Sequence, residues 1–285
     1  MLSPASQVKT NWVMTDWLQM LESDQPAWRW QAAEALAART AEDKVVSALA
    51  RALGDGHPFV RWQAGQALAA SLRGQQRLLE ILRLQSGSAL ARCAAADALG
   101  QGGVKPQQAT PALLAALESD DPFVRQSAAE ALARRGDSRA IAGLVTLLKD
   151  ESVWVQRAAA RALGHLGDLR AVEALVERLV QGAVLVRRSA VYALGALKAE
   201  KALQALVAAL ADPDPVVRYN SAWAVGRIGP KATVALPALR RLQTDLALEG
   251  AVAEAALRAE RAITRPSWLA ALSGFYTRLV WRRQL

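Results

Sequence analysis

Two histidines, His57 and His165, and one cysteine, Cys93, are the residues of this 285-residue chain best suited to metal or nucleophilic chemistry. Zinc or iron needs several His, Cys or carboxylate ligands in one cluster. The two histidines stand far apart, and neither is followed by glutamate, so no metal site is expected. Cys93 lies in the run Cys93-Ala94-Ala95-Ala96, where a small packing or groove residue is a better reading than a nucleophile. No phosphate-binding glycine motif and no Ser-His-Asp set at a supporting spacing is present. The chain therefore offers no catalytic residue, no metal ligand set and no cofactor motif. What it does offer is Arg, Trp and Tyr, the residue types of binding hot spots.

These residues recur with a period. A segment returns as Pro26-Ala27-Trp28-Arg29, Pro58-Phe59-Val60-Arg61, Leu90-Ala91-Arg92, Pro122-Phe123-Val124-Arg125, Trp154-Val155-Gln156, Leu185-Val186-Arg187 and Pro215-Val216-Val217-Arg218. The steps are 32, 31, 33, 31, 31 and 31 residues. Seven positions after each Arg or Gln stands Leu36, Leu68, Leu99, Leu132, Leu163, Leu194 or Val225. A period near 31 without strand-like alternation predicts an all-α solenoid, in which no unit buries its apolar face alone.

One unit, residues 137–166, shows how the elements arise. Asp137 can cap a first helix whose apolar positions are Ala140, Ile141, Leu144, Leu147 and Leu148. Lys149-Asp150-Glu151-Ser152 makes a polar turn, and a second helix runs from about Val153 to His165. Gly164 and Gly167 are expected to close it. Eight hairpins are expected, at about 8–39, 41–72, 74–103, 107–135, 137–166, 168–197, 199–229 and 230–264, the first and last acting as caps. The predicted domains are a solenoid over 1–265 and, after Pro266, a basic amphipathic helix over 266–285. Trp268, Leu269, Leu272, Phe275, Tyr276 and Leu279 form one side of that helix, with Arg278, Arg282 and Arg283 near its end. It is read as a cap or a docking segment. Contact with an anionic membrane surface is allowed by this pattern without being favoured.

Bulk composition narrows the partners. Net charge is +9, of which +6 falls in residues 227–285, so no basic stripe follows the array and a nucleic-acid partner is not expected. A single cysteine favours a reducing compartment, the N-terminus does not resemble a signal peptide, and no apolar run of 18 residues is present. A cytoplasmic protein is the expectation.

The consensus Asp-Pro-x-Val-Arg-x-x-Ala-x-x-Ala-Leu-Gly, clearest in residues 118–136 and 212–229, resembles the HEAT repeat, in its short bacterial form named the phycobilisome-lyase HEAT-like repeat. The resemblance implies a right-handed α-α superhelix whose second helices line a concave side. It also implies that Arg29, Arg61, Arg92, Arg125, Arg187 and Arg218 form a structural ladder with neighbouring aspartates. Positions +1 and +5 from the recurring Arg are one turn apart and share a face turned from the core. They hold Trp30/Glu34, Trp62/Gln66, Cys93/Asp97, Gln126/Glu130, Arg157/Arg161, Arg188/Tyr192 and Tyr219/Trp223. Arg157, Arg161, Arg188, Tyr192, Tyr219, Trp223 and Arg227 are therefore the candidate binding patch.

The expected function is a non-enzymatic scaffold or adaptor gripping a protein partner with an acidic segment in this groove. The alternative is a protein handling a tetrapyrrole, with phycobilin lyase-like activity. Its basis is the tract Arg218-Tyr219-Asn220-Ser221-Ala222-Trp223-Ala224-Val225-Gly226-Arg227, which resembles a stretch of phycocyanin-type lyase subunits.

Overall fold

The computed structural model describes residues 12–244 and 250–264. They are all-helical, with no strand among them. They fall into two compact units, one ending at Leu166 and one beginning at Gly167. Unit 1 holds α1 (Met14–Met20), α2 (Pro26–Leu36), α3 (Asp43–Ala52), α4 (Pro58–Ala69) and α5 (Leu72–Arg83). It continues with α6 (Ala89–Gly100), α7 (Pro106–Ala116), α8 (Pro122–Arg135), α9 (Ile141–Leu147) and α10 (Val153–Leu166). Unit 2 holds α11 (Val172–Gln181), α12 (Val184–Ala196), α13 (Leu203–Ala208), α14 (Pro215–Ile228), α15 (Leu236–Thr244) and α16 (Gly250–Thr264). Taken in pairs, these are the eight hairpins the period predicts. The predicted helix after Pro266 and the first residues of the opening hairpin lie outside the described residues.

The recurring proline explains where second helices start. Pro26, Pro58, Pro122 and Pro215 each occupy the first helical position, where a missing N–H costs nothing. Asp121 and Asp214 cap α8 and α14 by accepting backbone N–H bonds, and Ser88 does the same for α6. Asp137 does cap its hairpin, but what it caps is a 3-10 turn, Ser138–Ala140, that leads into α9. Gly164 does not close α10; it is buried inside the helix. The stop falls at Gly167, whose φ of +75° suits glycine.

Within each unit the helices form two layers. In unit 1, α2, α4, α6, α8 and α10 pack in series, and α3, α5 and α7 do likewise in the other layer. In unit 2, α12, α14 and α16 follow the same order. The seven residues at +7, Leu36 to Val225, are all 0% exposed and form the spine of both cores. Each buried leucine contributes about 2 kcal/mol of transfer free energy. Alanine and glycine at the interface bring second helices close. A Cβ added at Gly100 would meet Ala131 at 2.8 Å, so α6 and α8 touch nearly backbone to backbone.

Candidate binding face

The recurring arginines close hairpin turns. Arg29, Arg61, Arg125, Arg187 and Arg218 donate from Nη1 to carbonyls five or six residues upstream, in the turn that follows the first helix. Arg29 donates to Ser23 and Asp24 (2.8 and 3.1 Å), Arg61 to Asp55 and Gly56 (2.7 and 3.0 Å), Arg125 to Ser119 and Asp120 (2.8 and 3.1 Å), and Arg218 to Asp212 and Pro213 (2.8 and 3.0 Å). A cation in the first turn of the second helix thus satisfies carbonyls of the turn that leads into it. Three arginines also reach the next hairpin through a two-pronged bond: Arg29 to Asp55 (2.6 and 2.9 Å), Arg125 to Asp150 (2.8 and 2.9 Å) and Arg187 to Asp212 (2.9 Å twice). Arg92 reaches Ser119 Oγ instead, at 3.2 Å, and Arg61 and Arg218 stay within their own hairpins. Burial alone would raise the Asp55 carboxyl, but Arg29 and the His57 N–H hold it below its ordinary value.

On the open side of unit 1 the second helices present apolar side chains to solvent. Phe59, Leu90, Phe123 and Trp154 stand two residues before the recurring Arg or Gln on α4, α6, α8 and α10, and all four are exposed. Phe123 is 67% exposed and Trp154 52%. This row is absent from the positions read at +1 and +5. Its signal was the buried valine of the repeat: Val60, Val124 and Val155 are at most 1% exposed, so the preceding residue is turned about 100° away, onto the surface. Trp62, at +1, is 52% exposed and adjoins the row.

Two depressions run along this face. One, of about 640 Å³, spans α4, α6 and α8 and is lined by Trp62, Leu90, Phe123, Cys93, Asp97 and Glu130, among others. Burial pushes both the Cys93 thiol and the Asp97 carboxyl up, the latter despite the 2.8 Å bond it accepts from Arg134. A thiol so raised is a poor nucleophile. The second depression, of about 240 Å³, lies between α8 and α10. Glu130 and Arg134 face it from α8; Arg157, Arg161 and His165 face it from three successive turns of α10. Arg157 rests 4.9 Å over the Trp154 ring.

Unit 2 arranges the same residue types differently. Tyr192 stacks on Trp223, with centroids 5.3 Å apart and planes 4° from parallel. Arg227 lies 5.3 Å above the same indole and donates to the Gly195 carbonyl at 3.2 Å. Arg188 is held by Asp214 through two bonds of 2.9 and 2.5 Å, and that bond is the main reason the Asp214 carboxyl lies below its ordinary value. Tyr219 is exposed beside a depression of about 260 Å³ between α14 and α16. The structure thus places Arg157 and Arg161 together in unit 1, and Arg188, Tyr192, Tyr219, Trp223 and Arg227 on neighbouring helices of unit 2. No group of three or more His, Cys, Asp or Glu poised to hold a metal occurs among the described residues, and none of their helices is long and apolar enough to cross a membrane.

Paired helices at a period near 31 residues, turns closed by a recurring Arg in five of the hairpins and a leucine spine are the pattern of a HEAT-repeat protein. The sequence matches the HEAT repeats family over residues 14–87, 75–152, 131–191 and 182–259, and the chain belongs to that family. No curated protein matches it in sequence. Among solved structures it is similar to YibA of Escherichia coli, at 19% identity and a TM-score of 0.61 over 87% of this chain and 92% of that one. It is also similar to a chain of the Kap95p–RanGDP complex, at 14% identity and a TM-score of 0.60 over 90% of this chain and 41% of that one. The CpcE–CpcF complex of phycocyanin lyase from Nostoc sp. PCC7120 shares 24% identity over 85% of this chain and 98% of that one, at a TM-score of 0.40. The first two likenesses establish the fold alone.

Proposed function

We propose that this protein is a non-enzymatic scaffold that holds a segment of a protein partner against the second-helix face of unit 1. The observation that carries the reading is the row Phe59, Leu90, Phe123 and Trp154, with Trp62 beside it. Soluble proteins rarely leave large apolar side chains aligned and uncovered unless something docks there. Aromatic residues and arginine are enriched where docking is strong. Arg157 and Arg161 belong to this face. Arg188, Tyr192, Tyr219, Trp223 and Arg227 form a second, weaker region, because much of their bonding capacity is taken up among themselves and by Asp214. The chromophore-handling alternative rests on the Arg218–Arg227 tract, whose Trp223 already stacks with Tyr192 and lies under Arg227.

Tagged protein purified from its native host tests this. A stoichiometric protein partner should be lost from the Phe123→Ser/Trp154→Ser variant and kept by Tyr219→Ser, with melting temperatures unchanged. Retention of the partner by the first variant would remove the reading. A visible absorption band in the purified material would favour the chromophore alternative instead.

A further inference from the structure

We propose that the small depression between α8 and α10 is a receptor for a single carboxylate, so that the partner segment carries an acidic residue beside its apolar anchors. This rests on the binding face proposed above and names the chemistry it reads. Arg157, Arg161 and His165 follow one another at four-residue intervals on α10 and face one cavity of about 240 Å³. Ala133, Ala158 and Ala162 also line it, and their short side chains leave room for an entering group among the longer cationic ones. Arg161 is exposed and makes no ion pair among the described residues, and Arg157 is braced on Trp154. A braced guanidinium loses little freedom on binding, and its planar fork matches a carboxylate in two-pronged fashion.

The surroundings select the anion. Glu130 faces the same cavity, and Asp97 lies next to it, bound to Arg134. A dianionic phosphate doubles the repulsion from Glu130 along with the attraction to the guanidinium groups, and its desolvation cost rises more steeply than either; a nucleic-acid backbone running along the face would meet Asp97 as well. A singly charged carboxylate meets two available guanidinium groups and one opposing charge. Trp154 adjoins the cavity through Arg157, which lies over its ring, and Phe123 lines the neighbouring depression, which shares Glu130 and Arg134 with this one. The recognised motif is therefore an Asp or Glu next to large apolar side chains.

A random peptide library displayed on phage and selected on the full chain tests this. Selected peptides should pair Asp or Glu with aromatic or aliphatic residues. A synthetic copy of the best binder should lose at least about tenfold in affinity on Arg157→Gln/Arg161→Gln, and a comparable factor when its own acid is changed to the amide. Arg161→Glu should lose more. Phosphate at about tenfold excess over peptide should compete weakly. Winners without an acidic residue, or binding that survives both arginine changes, would overturn the carboxylate receptor. If such winners still fail on Phe123→Ser/Trp154→Ser, the apolar face stands and only the receptor falls. Winners insensitive to both sets of changes overturn face and receptor together.

Discussion

The two units use one scaffold and treat the same side chains in opposite ways. In unit 1, Trp62, Phe123 and Trp154 stand in solvent, and Arg161 faces an open cavity. In unit 2, Trp223 is covered by Tyr192 and Arg227, and Arg188 is tied to Asp214. Residue type alone therefore does not mark a binding surface in a repeat protein. What marks it is whether the neighbouring repeat supplies a partner. Asp214 is present one repeat after Arg188, whereas the +5 cation Arg161 makes no ion pair among the described residues.

The largest expected effect tests whether the scaffold really is common to both units. Arg125 is 8% exposed and holds Asp150 and two carbonyls. Arg125→Ala should cost about 3 kcal/mol, since it strands a buried carboxylate. Arg187→Ala, the counterpart in unit 2, should cost about 2 kcal/mol. Urea titrations of both variants check this; a loss in one unit only would mean the two are built differently.

Trp223→Ala should cost about 2 kcal/mol, because it removes a half-buried ring and its stack. Trp154→Ala should cost less than about 0.5 kcal/mol. Gly195→Ala sharpens the same point, because its Cβ would lie 2.4 Å from the Trp223 ring. It should cost about 1–2 kcal/mol by forcing the indole to move. Equal melting temperatures for Trp223→Ala and Trp154→Ala would erase the distinction between the units.

The smallest effect is electrostatic. Asp214 has a folded-state carboxyl below its ordinary value, so its contribution is present above the unfolded carboxylate pKa of about 3.9 and is lost as pH falls through the lower folded value. Asp97 has the opposite sign: its carboxyl is raised, so stability falls as pH rises from the ordinary carboxylate value through the raised one. Asp214→Asn should flatten the acid limb of the stability profile. Asp97→Asn should remove a decline just above the ordinary carboxylate range. Denaturant midpoints across pH 2–7 separate the two, and identical profiles would contradict the assignment.

The fold was legible because a solenoid writes its core once per repeat: the seven spine residues, Leu36 to Val225, stand as a column in the aligned repeats. Helix closures were less legible. Gly164 looks like a stop, but in α10 it serves close packing inside the helix, a tertiary demand that local glycine chemistry does not reveal. The candidate face was half legible. Arg157 and Arg161 follow from helical spacing, whereas the Phe59–Trp154 row lies inside the repeat signature, where only helical phase separates it from the buried residue that follows. The pairing of Arg188 with Asp214 depends on how adjacent hairpins register, which spacing within one helix cannot give.

If a partner sits on the second-helix face of unit 1, the exposed rings there are covered in the complex. Hydroxyl-radical footprinting of the protein with and without the partner recovered from its native host reads this directly, since exposed aromatic rings oxidise readily. Trp62, Phe123 and Trp154 should be protected in the complex, while Tyr192 and Tyr219 keep their reactivity. Protection of Tyr192 and Tyr219 with Phe123 and Trp154 unchanged would contradict the account.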